Sequence, residues 1–205
     1  MFFVANKQIF SRIWHFAKIP LAVIIVLFIG LVIYRIPVVM ERQKTEEVVE
    51  KIRAQKLTIA DVMGENFPPQ PDTTFNNATI EGIDANKNGI RDDVELAIFK
   101  LHPNSARIRA AELQYAMALQ NELSNVFNSE TLVATIQEEG RGFGCIYKSS
   151  SSDQIFSVYK KEVRDLIFNI GLRKNKSDEI FDKYSASFSA LKGEDCDIDS
   201  VSLSS

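Results

Sequence analysis

Acidic side chains are missing from the first forty residues. Residues 1–40 hold no Asp or Glu, which leaves 41–205 with all 27 acids against 20 Lys and Arg, a net of −7 beneath a formal chain charge of −3. An acidic body without a basic stripe gives no footing for nucleic acid, so none is expected as a partner. Cysteine is scarce: Cys145 and Cys196 are the whole complement, and none follows the N-terminal apolar run as a lipoprotein would need. Of two histidines, only His102 lies outside that N-terminal segment, and a lone Cys–His pair is too little for nucleophilic catalysis. No alternating apolar–polar stretch reads as a strand. The run Gly140-Arg141-Gly142-Phe143-Gly144-Cys145 lacks the Gly-Lys-Ser/Thr ending of a phosphate loop and follows a helical pattern, so it reads as a flexible helix stop.

What is present begins with an apolar run. Residues 1–18 form a short basic tail, and residues 19–40 are apolar except for Arg35. At about 1.5 Å per residue this run covers ~33 Å, enough for the hydrocarbon core of a bilayer. Trp14 and Phe16 are expected at the near interface and Tyr34 at the far one, with Arg35 snorkelling outward and Pro37 ending or kinking the helix. Val38-Val39-Met40-Glu41-Arg42 offers no small-x-small cleavage site, so an uncleaved signal anchor is expected. Residues 41–66 read as a charged helical stalk, solvated or pairing with a partner or second copy, with Thr58 capping a turn through Asp61 to Met63. Residues 67–83, with Phe67-Pro68-Pro69-Gln70-Pro71-Asp72, read as a linker.

The most informative stretch is residues 84–95, Asp-Ala-Asn-Lys-Asn-Gly-Ile-Arg-Asp-Asp-Val-Glu. Oxygen-bearing side chains fall at positions 1, 3, 5, 9 and 12, as Asp84, Asn86, Asn88, Asp92 and Glu95. Gly89 stands at position 6, where the chain must turn sharply, and Ile90 at position 7 offers its backbone carbonyl. Hard divalent cations take six to eight oxygens, and this register supplies them to Ca²⁺. The loop resembles the EF-hand, with Arg91 at position 8 where EF-hands carry an aliphatic residue. Its Ile90 at position 7 resembles the calcium loops of bacterial thrombospondin type 3-like repeats. The resemblance covers these twelve residues alone and implies calcium binding without an enzymatic role.

Residues 84–193 read as a helical domain and 194–205 as an acidic, Ser-containing tail. The outgoing helix carries Val94, Ala97, Ile98 and Leu101 on one face, with Asp92, Asp93 and Glu95 in its first turn. A helix capped by Asn104 or Ser105 runs to about Phe127; a shorter one capped by Ser129 stops at Gly140. One from Asp153 closes at Gly171, and the last opens at Ser177, bears Phe181, Tyr184, Phe188 and Leu191, and ends at Gly193. The fold class is all-α: one transmembrane helix, then a small helical bundle with a calcium loop-helix unit.

His102, before Pro103 at a helix end, reads as a capping residue and not a ligand. Glu138-Glu139 and Glu194-Asp195 read as solvated carboxylates, and Asp195-Cys196-Asp197-Ile198-Asp199 imitates a calcium loop without its Gly. A bare Lys/Arg count around the span puts the C-terminal domain in the cytoplasm. Two arguments oppose it. A loop with two Asn ligands and internal Lys87 and Arg91 suits millimolar calcium, and Cys145 with Cys196 suits one disulfide. The sequence thus leads to a single-pass protein of a bacterial inner membrane, its domain in the periplasm or outside, with a binding or scaffolding role. The alternative is a membrane-tethered cell-wall hydrolase using carboxylate chemistry, which needs two facing carboxylates in a cleft.

Overall fold

The computed structural model describes residues 2–184 and, beyond them, 187, 189, 191, 195–199 and 203, with the backbone alone for 2–17 and 19. The described residues form eight helices and no strand, in two compact units, Met1–Glu46 and Glu47–Ser205.

Helix α1 spans Phe2–Ala54. Its stretch from Pro20, with mean hydropathy 2.7, is the one helix among the described residues long and apolar enough to cross a membrane. Leu27, Phe28, Ile33 and Tyr34 are all more than 60% exposed within the unit. Pro37 neither ends nor breaks the helix, contrary to expectation, and Pro20 also lies inside it. Each proline removes one i→i−4 bond, and the apolar turns on either side carry the helix across. Trp14 and Phe16 lie outside the described side chains.

The second unit takes in more of the chain than the sequence suggested. The stretch read as a stalk buries Ile52, Leu57 and Val62, while Ile59 and Met63 stay exposed. Thr58 caps α2 (Ile59–Met63) in a capping box with Asp61. The segment read as a linker holds α3 (Thr73–Asn76), capped by Asp72, and lays Ile80 against the core.

Helix α4 (Asp92–Leu101) follows the candidate loop and buries Val94, Glu95 and Ile98, while Leu101 faces out. Helix α5 (Ala106–Asn125), capped by Ser105, is the axis of the unit, with every residue from Arg109 to Leu123 buried. The others wrap it: α6 (Ser129–Ser149), α7 (Asp153–Ile167) and α8 (Gly171–Lys183).

Four boundaries differ from the sequence reading, one of them the end of α8, which stops at Lys183 and does not run to Gly193. Asn128 caps α6 in place of Ser129, and α6 runs straight through Gly140 to Ser149. Two of the glycines in the run admit close neighbours on different sides of the helix, while Gly140 faces open space. A Cβ at Gly142 would meet Tyr115 Cα at 2.8 Å, and one at Gly144 would meet Asp195 Cγ at 2.6 Å. Gly171 opens α8 instead of closing α7, which places Ser177 mid-helix. The proposed Phe188 and Gly193 positions, and Glu194, lie outside the described residues.

The acidic tail is docked. Cys196 is bonded to Cys145, and Ile198 enters the core cluster. Asp195 pairs with Lys148 at 2.7 Å, and Asp197 pairs with Arg141 at 2.8 Å and Lys56 at 3.5 Å. These carboxylates face cationic side chains, so the imitation of a second calcium loop has no support here.

Candidate metal centre

The stretch 84–95 folds as a compact loop whose backbone is organised by its own acids and amides. Asp84 accepts from the N–H groups of Asn88 (3.2 Å) and Gly89 (2.9 Å). Asn88 Oδ1 accepts from Ile90 N–H at 2.9 Å, and Asp92 Oδ1 from Ala85 N–H at 2.9 Å. Gly89 turns with φ 86°, a left-handed conformation that favours glycine, and the space for its Cβ is filled by Gln55. Ile90 anchors the loop by burying its side chain completely.

Inside the turn, Glu95 Oε2 accepts from both Asn86 Nδ2 and Asn88 Nδ2, each at 3.0 Å. Asp92 and Glu95 are 0% exposed, yet Asp92 Oδ2 and Glu95 Oε1 have no hydrogen-bond partner. Burial, then the nearby charges of Asp61 and Asp92, push the Glu95 carboxyl up to about 7, against the pull of the two amides. Asp92 is likewise raised, by burial first and then by Asp84 and Asp93, against the Ala85 N–H. Buried carboxylates with spare lone pairs call for a proton or a cation. Five of the six sequence-derived positions (Asp84, Asn86, Asn88, Asp92, Glu95) are joined in this network, with Ile90 bound through its N–H.

Arg91 has a role the sequence did not disclose. It turns away from the loop and is wholly buried, its Nε paired with Asp93 Oδ1. Its Nη2 donates to Leu166 O at 2.7 Å and Nη1 to Ile167 O at 3.3 Å, at the end of α7. The side chain expected to disfavour a cation in the loop therefore fastens the loop to the bundle. Lys87 is exposed, with φ 59°.

Two further clusters escaped the sequence reading, because each gathers residues from different helices. His102 at the end of α4, Glu112 in α5 and Glu162 in α7 come together, with His102 Nε2 3.2 Å from Glu112 Oε1. Glu122 of α5 and Glu139 of α6 act on each other's titration, and two such carboxyl groups can hydrogen-bond to one another only when one is protonated. As two ions they would leave Glu122 Oε1 and Oε2 and Glu139 Oε1 without donors. Neither member of the pair Glu138-Glu139 is the solvated carboxylate expected: Glu138 is buried and paired with Lys56 and Arg141.

Burial raises Glu122, and burial with the Glu122 charge raises Glu139 well above the usual carboxylate range; Arg164 opposes both, and Ser177 opposes the rise at Glu122. Asp178 and Tyr115 also face the pair. A raised folded pKa gives stability that is full below the unfolded glutamate value and lost as pH rises through the folded one. Between about pH 5 and about pH 8 the wild type should therefore lose more melting temperature than Glu139→Gln, whose amide donates at every pH. Parallel melting profiles for the two proteins would show that no proton is shared.

No protein family, curated protein or solved structure matches this chain, so its sites are read from their own chemistry.

Proposed function

We propose that this chain is a membrane-anchored protein whose helical unit carries one structural Ca²⁺ in the loop 84–95 and works by binding or scaffolding. The observation that carries the reading is the pair of fully buried carboxylates with unpartnered oxygens, Asp92 Oδ2 and Glu95 Oε1. A divalent cation satisfies both oxygens and relieves the mutual repulsion that pushes Glu95 up. Asn86 and Asn88 then turn their amides to present Oδ1 to the ion, and an all-oxygen set of this size selects calcium over the smaller magnesium. The apolar segment 19–40 supplies the anchor. The disulfide and a loop suited to millimolar calcium favour a domain outside the cytoplasm, the periplasm in a bacterium.

Calcium should stabilise the fold without entering any chemistry. With Kd ~0.1 mM and ~1 mM free ion, mass action gives about 1.4 kcal/mol, a rise of a few degrees in melting temperature. Glu95→Gln should lose most of this gain, Glu81→Gln none of it, and magnesium should substitute poorly. Identical melting of the full chain in chelator and in millimolar calcium would reduce the loop to a polar turn.

A second reading, the tethered cell-wall hydrolase, draws on Glu122 facing Glu139. Arg164 and Ser177, which act on this pair, also line a cavity of about 470 Å³ with Phe168, Lys174 and Asp178. The pair lies within the bundle, though, and Glu122 is 0% exposed. Cleavage of cell-wall glycan that vanishes in Glu139→Gln would move the function to this reading.

A further inference from the structure

His102, Glu112 and Glu162 stand apart from the calcium loop, at the opposite end of α4 from Asp92 and Glu95. His102 is the C-cap of α4, Glu112 lies mid-way along α5, and Glu162 is on α7. One ligating atom from each lies within 4.8 Å of the other two. We propose that these three side chains form a second metal site, one that takes a divalent cation of the zinc class.

The geometry is close to what such an ion needs. His102 Nε2 is 3.2 Å from Glu112 Oε1 and 4.0 Å from Glu162 Oε2. Tetrahedral zinc with bonds of about 2.0–2.1 Å sets its ligands ~3.3–3.5 Å apart. The His102–Glu112 edge is already at that spacing, and Glu162, the outermost of the three, needs a small inward swing. The ring of His102 is held by the edge of Tyr159, with centroids 5.1 Å apart at 85°.

An independent observation asks for a ligand here. Glu112 is 0% exposed, and its Oε2 has no hydrogen-bond partner; Glu162 Oε2 is also shut from water without one. A protonated His102 answers Glu112 Oε1 and leaves the two orphans in place. A metal ion answers all of them. The imidazole nitrogen decides its class, since calcium and magnesium take oxygen ligands whereas zinc and its first-row neighbours accept imidazole with carboxylate. Three protein ligands leave a fourth position for water. The Arg109 guanidinium works against a cation; its hydrogen bonds to the carbonyls of Val62, His102 and Pro103 tie it to the backbone beside the site.

The test uses the full chain in detergent, with calcium saturating so that the loop 84–95 does not compete. Zinc, titrated against a chromophoric chelator, should bind one ion per chain at micromolar concentration or below. His102→Gln and Glu162→Gln should each weaken it by at least about tenfold. Glu162 is partly exposed, so its variant should fold, which zinc-free melting confirms. Cobalt(II) should give visible absorption bands in the wild type that both variants lose. Zinc binding weaker than about 100 µM, equal affinity in all three proteins, or loss of binding only in Glu95→Gln would each overturn the site.

Discussion

Replacing Cys145 and Cys196 by Ser should lower the stability of the helical unit by about 4 kcal/mol. The bond closes a loop with a sequence separation of 51, and the chain-entropy relation gives roughly this value for such a loop. The bond also holds a docked segment in place. Gln114 Nε2 donates to Asp195 O at 2.6 Å, Asp197 N–H donates to Gln114 Oε1 at 2.8 Å, and Leu57 N–H donates to Asp197 Oδ2 at 3.1 Å. Urea unfolding of the full chain with and without reductant measures the difference. A shift below about 1 kcal/mol would mean that residues 195–198 stay docked without the bond, and equal labelling of both thiols in unreduced cells would mean that it does not form there.

Arg173→Met should be as damaging, at about 3–5 kcal/mol. Arg173 is fully buried and donates to Asn76 O at 2.6 Å, Ile80 O at 3.0 Å and Thr79 O at 3.2 Å, as well as to the side chains of Asn77 and Asn169. Methionine fills the volume but leaves three carbonyls and two amide oxygens without this donor. Burial and the charge of Arg91 lower the Arg173 guanidinium to about 10, so it is still charged at neutral pH. The two arginines close on Gly82, where an added Cβ would meet Arg91 Cδ at 2.2 Å and Arg173 Nη2 at 2.9 Å. The exposed neighbour Lys174→Met should change stability by less than about 0.5 kcal/mol. Equal denaturation midpoints for the two variants would rule out the clamp.

What the sequence made legible is what local chemistry decides. Thr58 and Ser105 announced their helices because a capping hydroxyl needs only an N–H three residues on. The twelve-residue loop was legible as a compact turn for the same reason: its acids and amides bond to N–H groups a few residues away along one segment. The run through Gly140, Gly142 and Gly144 misled because glycine weakens an isolated helix, whereas here it admits α5 and the tail to within contact of α6. Arg91 and Arg173 were invisible because periodicity counts a charge as a solvent-facing residue, and the backbone carbonyls they bind lie more than 70 positions away. Glu122, placed on a helix with an apolar face elsewhere, gave no sign that Glu139 would meet it. Side chains that only tertiary packing brings together leave no pattern in sequence.

The long reach of these bonds has a consequence for synthesis. Leu57 is joined to Asp197 across 140 positions and Asn76 to Arg173 across 97. A ribosome adding about 5–20 residues per second needs ~7–28 s to travel from residue 57 to residue 197. Until then Leu57 lacks its bond to Asp197, and Asn76 lacks its bond to Arg173 until residue 173 has been added. Local turns such as α2, with its capping box, form at once, and α2 can dock once Arg109 of α5 reaches Val62 O, but the bond from Leu57 waits for the tail. The segment around Leu57, made early, is thus completed only by the tail.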